Sequence, residues 1–147
     1  IFGVDIVCAN DNIIAAVVDL SPVGDALPVA IEDKLLNAST PCFSQVRQLP
    51  EWGTIFSEHV QFIRPNGKKE EDLFLIVADE YLRIFVDTLI STDPDSPDSD
   101  STLDRLKFHK NYCLQQRRND KTRKVLARAF NPQWAKSYIE TLLFDIP

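Results

Sequence analysis

Apolar residues alternate with polar breaks along this chain in a way that separates strands from helices. Phe2–Val7 and Ile13–Leu20 are rich in Ile and Val and read as two buried strands. The polar turn Ala9-Asn-Asp-Asn12 joins them, and so short a link predicts antiparallel pairing. Ser21-Pro22 stops the second run. Pro28–Asn37 predicts a short helix with Ile31, Leu35 and Leu36 on its inner face. Ile55–Arg64 reads as a third strand, closed by the turn Pro65-Asn-Gly67. The strongest helical pattern is Glu70–Ile90, where Leu73, Phe74, Val77, Tyr81, Ile84, Phe85 and Leu89 recur at three- and four-residue steps. That spacing makes one broad apolar stripe, which reads as core. Helical periodicity resumes from Leu103. A last helix follows Asn131-Pro132, with Pro132 suited to a first turn and Trp134, Tyr138, Ile139 and Leu142 turned inward. Strands followed by helices predict an α/β protein of the α+β type, an antiparallel sheet with helices packed on it.

Composition narrows the field. A chain of 147 residues with 44% apolar content is the size of one ordinary domain and can bury a core. Ser91–Ser101 is acidic, low in complexity and holds two prolines, so it reads as a solvated surface loop and not a domain boundary. Charges interrupt every hydrophobic stretch well short of the ~18–20 residues a membrane span needs. Cys8, Cys42 and Cys113 are odd in number and far apart, which suits reduced thiols in a cytoplasmic protein. Two histidines, His59 and His109, are too few and too isolated for a metal cluster, so no protein-held metal is expected. The four glycines build neither a dinucleotide-binding G-x-G-x-x-G nor a P-loop. The chain has no Met and opens at Ile1 directly into a strand-like run, so a piece of a longer protein is expected.

Several charged residues are candidates for chemistry. Asp5 lies inside an apolar run, either on the exposed face of an edge strand or partly desolvated. Desolvation would raise its pKa and keep a proton available near neutral pH. Asn119 or Asp120 can cap the helix that follows. Arg117, Lys121, Lys124 and Arg128 are spaced four, three and four, and form one cationic stripe if a helix runs unbroken through them. Between Asp104 and Arg128 there are nine Lys or Arg against two Asp, in a chain whose net charge is −6. Charge so segregated can steer an anionic partner. No aromatic interleaving supports nucleic acid. An acidic electron carrier fits better, and a merely solvated basic face is the plain alternative.

The ordered motifs point further. They are Tyr112-Cys-Leu-Gln-Gln-Arg-Arg-Asn-Asp-Lys-Thr-Arg-Lys-Val-Leu-Ala-Arg-Ala-Phe130, Ile1-Phe-Gly-Val-Asp-Ile-Val7, Ala15-Ala-Val-Val-Asp-Leu-Ser-Pro22, and Arg47–Glu58 running on to Phe62-Ile-Arg-Pro65. With the ending Trp134–Asp145, the chain resembles the ferredoxin-dependent bilin reductases, most closely their phycocyanobilin-forming branch. The resemblance spans essentially every residue.

It implies a three-layer α/β/α sandwich with a central antiparallel sheet, of which this chain would be the C-terminal portion of a single domain. It implies reduction of biliverdin IXα to phycocyanobilin in successive two-electron steps through bilin radicals, first at the D-ring vinyl group and then at the A-ring side. Reduced ferredoxin would supply the electrons, with no bound cofactor. Asp5 would face the tetrapyrrole as proton donor, with Asp120 in support. Arg47 and Lys121 would hold the propionates, Asn119 and Val125 would lie near the pocket, and Arg117, Lys124 and Arg128 would dock ferredoxin. A monomer is expected. The family's other proton-handling residues, a Glu and a His, would lie upstream, so the isolated chain is expected not to turn over. The alternatives are a related reductase making phycoerythrobilin or phytochromobilin, and a non-catalytic bilin-binding module. One departure stands out: the turn Ala9–Asn12, followed by Ile13 and Ile14, is not the glycine-rich, Ser-bearing turn common in the family, which leaves a polar substrate contact there open.

Overall fold

A computed structural model describes residues 1–147. It is a mixed α/β fold with a three-stranded antiparallel sheet and five helices, in two compact units, Ile1–Pro94 and Asp95–Pro147.

The first unit is built on the sheet. β1 (Phe2–Ala9) and β2 (Asn12–Leu20) form a hairpin whose two turn residues, Asn10 and Asp11, have φ of 49° and 61°. Asn and Asp tolerate this left-handed backbone, and such a two-residue turn matches the twist of the flanking strands. The strands therefore run on to the turn, two residues further in β1 and one earlier in β2 than the hydrophobic runs alone suggest. The register slips between Val7 and Cys8, leaving Ile14 as the extra residue of a bulge.

β2 carries Ala16, Val18 and Leu20 on one face. These pack with Phe74, Val77, Tyr81 and Ile84 of α2 (Lys68–Ile90), and with Ile31 and Leu35 of α1 (Val29–Asn37). Alternation on the strand and three- or four-residue steps on the helices put these side chains in one core. Leu36 departs from its expected inward place and is 67% exposed, because on a short helix Ile31 and Leu35 already fill the inner line. Leu89 likewise lies outside, in the last turn of α2 beyond the sheet.

The third strand is shorter than its hydrophobic run. Glu51–Ile55 forms a tight 3₁₀ turn, and only Gln61–Ile63 pairs with β2, as β3. The intervening backbone is satisfied by side chains instead of a ladder. Asp19 accepts from the Ser57 amide at 3.0 Å, and the Tyr81 hydroxyl donates to the His59 carbonyl at 2.7 Å. The outer edge of β3 meets residues 45–47: the Arg47 amide donates to the Phe62 carbonyl and the Arg64 amide to the Gln45 carbonyl.

In the second unit, α3 (Asp100–Gln116) is capped by Ser99, α4 (Asp120–Ala129) by Asn119 and α5 (Pro132–Tyr138) by Asn131. Each cap accepts a backbone N–H of the first turn, which supplies one of the partners a helix start lacks. α3 starts three residues before Leu103. The helix does not run unbroken through 117–128, because Arg117–Asn119 turn the chain between α3 and α4. Ala135 of the last helix and Ile139 just after it are buried, whereas Trp134 and Leu142 are exposed, contrary to the inward places their spacing suggests. A wide turn, Ile139–Leu143, follows α5. No helix is long and apolar enough to cross a membrane.

Candidate functional site

The side chains that alternate away from the core define the other face of the sheet. Gly3, Asp5 and Val7 stand there on β1, Val17 and Asp19 on β2, and Phe62 on β3. Asp5 pairs with Val17, and Val17 with Phe62, so the three form one row across the sheet. With strands about 4.8 Å apart, the ends of that row are roughly 10 Å apart. Arg47 is set beside it by its own backbone, which bonds to Phe62. Its guanidinium carbon lies 5.5 Å from the centre of the Phe62 ring, a cation–π contact. The fold thus places a carboxyl and a cation at either end of an apolar strip, on one face.

The Asp5 side chain is open to solvent, yet its surroundings are apolar enough that desolvation pushes its pKa above the usual 3.8. Both environments considered from the sequence are met in part. Solvent access limits how far the shift can go.

Asp19 is a residue that sequence reasoning misses. It is 1% exposed and accepts from Ser21 Oγ at 2.6 Å, Ser57 N at 3.0 Å and Ser57 Oγ at 2.5 Å. Desolvation raises its pKa, while the hydrogen bonds from Ser21 and Ser57 oppose the rise. The bonds tie β2 to the segment just after the 3₁₀ turn. An acid in an apolar strand followed two residues later by Ser is the only local signal, and Ser57 is 38 residues away. Val17 and Phe62, the apolar strip between Asp5 and Arg47, also escape a reading of the sequence for site residues.

On the second unit, Asn119 is the cap. Its Oδ1 accepts from the amides of Lys121 at 3.1 Å and Thr122 at 3.2 Å. Asp120 is thereby left out of capping, with an exposed carboxylate in the first turn, where the helix dipole favours negative charge. It lies 3.9 Å from Lys124 Nζ, a loose surface pair. Lys121 and Val125, one turn apart, share a face of α4, and both are exposed. Lys121, Lys124 and Arg128 keep a three- and four-residue spacing on α4, so a shortened cationic stripe survives. Arg117 leaves it, since its guanidinium bonds to the carbonyls of Glu140 and Phe144.

The family model of ferredoxin-dependent bilin reductases matches residues 1–145, and the chain belongs to that family. Among individual proteins it is similar to the phycocyanobilin:ferredoxin oxidoreductases. It is 53% identical over 147 residues to that of Prochlorococcus marinus (strain MIT 9303). It is 52% identical over 147 residues to that of Synechococcus sp. (strain CC9902), and 42% identical over 149 residues to that of Gloeobacter violaceus (strain ATCC 29082 / PCC 7421). The whole chain is covered in each case, but it spans only 56%, 60% and 58% of the length of these relatives.

Proposed function

We propose that the protein of which this chain is part reduces biliverdin IXα to phycocyanobilin with electrons from reduced ferredoxin. The observation that carries this reading is the placement of Asp5 and Arg47 on one sheet face, either side of Val17 and Phe62. An apolar strip suits the flat tetrapyrrole, a guanidinium suits a propionate bidentately, and a carboxyl of raised pKa suits proton donation. Lys121 would hold the second propionate as a point charge, with Asn119 and Val125 beside it and Asp120 supporting proton delivery.

Each reduction step takes two electrons and two protons. The electrons arrive singly and are held by the conjugated bilin as a radical, so the reading needs no resident cofactor. The protein's part is to bind, to exclude water and to protonate particular carbons, with Asp5 regaining its proton from solvent. The exposed cations Lys124 and Arg128 suit the docking of acidic ferredoxin. In the complete protein the sheet would be the middle layer of an α/β/α sandwich, with this chain the C-terminal portion of one domain in a cytoplasmic monomer.

An anaerobic assay of the complete protein with biliverdin and reduced ferredoxin tests the reading. Phycocyanobilin is the expected product; phycoerythrobilin or phytochromobilin would move the protein to a sister activity, and binding without turnover would make it a bilin-binding module. The Asp5→Asn variant is expected to stall at a radical or partly reduced bilin, seen by its absorption. Product formation at the wild-type rate would remove Asp5 from its role.

A further inference from the structure

By spacing alone Arg117 belongs with Lys121, Lys124 and Arg128 as a cation offered to a partner. Its surroundings say otherwise. Arg117 is the residue that closes α3, and its guanidinium reaches over to the wide turn Ile139–Leu143. Nε and Nη2 both donate to the Phe144 carbonyl, at 3.0 and 2.8 Å, and Nη2 also donates to the Glu140 carbonyl at 2.9 Å. One carbonyl lies within the turn and the other just past it, at the C-terminal end of the helical stretch where carbonyls carry partial negative charge, so a cation there is well matched. The planar fork makes three bonds at once, which a lysine ammonium cannot reproduce in that geometry.

The backbone of the same residue faces the other way. Its carbonyl accepts from Arg123 Nη2 at 2.9 Å, one turn into α4. The junction between the helices is short and bonded throughout, with the Arg118 amide on the Gln115 carbonyl and the Asn119 amide on the Gln116 carbonyl. The end of α3, the first turn of α4 and the C-terminal turn therefore meet at one residue. Asn119, Asp120 and Lys121 follow it immediately.

We propose that Arg117 is a positioning residue: it fixes the start of α4, and so holds Asn119, Asp120 and Lys121 at the angle at which they meet the bilin. The inference rests on the bilin-binding reading above and concerns a residue that does not itself touch substrate. Its charge is spent on carbonyls and takes no part in docking.

The charge-preserving variant separates the two roles. In the complete protein, Arg117→Lys and Arg117→Gln are both expected to weaken biliverdin IXα binding about ten-fold and to shift the absorption band of the bound pigment. The KM for reduced ferredoxin and its dependence on salt should stay as in the wild type. Arg123→Gln, which leaves the guanidinium of residue 117 in place and removes only its carbonyl's partner, should act in the same direction with smaller effect. It serves where the direct variants fold poorly. The proposal is overturned if Arg117→Lys behaves as wild type while Arg117→Gln raises the ferredoxin KM and flattens its salt dependence, because that is the signature of a docking charge. Wild-type biliverdin affinity and spectrum in all three variants would overturn it as well. Failure of the unmodified complete protein to bind biliverdin would instead sink the underlying reading, and the inference with it.

Discussion

Asp5 and Asp19 stand on the same face of the sheet in opposite circumstances: one is open to water beside apolar neighbours, the other sealed and fully hydrogen-bonded. Burial lifts both carboxyl pKa values above 3.8. A folded-state pKa above the unfolded one means the native state holds its proton longer. The resulting stability is complete below pH 3.8 and is lost as pH rises through the folded value. Asp5→Asn removes a titrating group at an exposed position, so its urea midpoint should fall less than that of the wild type as pH rises above 3.8. Parallel curves would mean Asp5 is not desolvated. Asp19→Ala should instead cost on the order of 2–4 kcal/mol at neutral pH, since the buried Ser21 hydroxyl and two half-buried Ser57 donors lose their acceptor; chemical denaturation reads this directly. Asp5 is legible in the sequence because an acid inside an apolar run is conspicuous. Asp19 sits in a run just as apolar, but its meaning depends on Ser57, which no local pattern connects to it.

Elements bounded by local chemistry are legible in the sequence, and those bounded by distant partners are not. The hairpin follows from two apolar runs and a four-residue polar link, and α2 from its long stripe. β3 is overextended in a sequence reading because Ile55–Arg64 keeps a strand-like content of apolar residues, although Asp19 and Tyr81 take up the backbone of its first half. The break between α3 and α4 is announced by the capping residues Asn119 and Asp120, and Asn119 takes the cap, whereas the spacing of the cations from Arg117 to Arg128 suits an unbroken helix and gives no sign of it. The turn before α2 offers a clean test. Gly67 has φ of 78° and ψ of 178°, a region almost closed to residues with a Cβ, although an added Cβ would meet nothing within 4 Å. Gly67→Ala should therefore cost about 1–3 kcal/mol from the backbone alone. Gly24→Ala, where the nearest atom to an added Cβ is 3.8 Å away and φ is unremarkable, should stay within about 0.5 kcal/mol. Equal thermal midpoints for the two variants would count against the strained turn.

Across the molecule, the net charge of −6 conceals a division: residues 1–94 hold 6 Lys or Arg against 15 Asp or Glu, and residues 95–147 hold 10 against 7. The excess of cations lies on the unit that carries Lys124 and Arg128, and electrostatic docking there predicts a ferredoxin KM that rises with salt. In the complete protein, the double variant Lys124→Gln, Arg128→Gln should raise that KM and make it less salt-dependent without changing biliverdin affinity; an unchanged salt profile would place the docking face elsewhere. The isolated 147 residues pose a harder demand. Reduction through radicals needs water kept from the bilin and protons delivered to more than one carbon. Within this chain Asp5 is open to solvent, and the chain spans no more than 60% of the length of the relatives compared above. An open face can bind a flat pigment but cannot shelter its radical. Under anaerobic conditions with reduced ferredoxin, the 147-residue chain should therefore yield no phycocyanobilin, while the complete protein yields it. Product from the short chain would show that the enclosure is not required and that the acid–cation face suffices by itself.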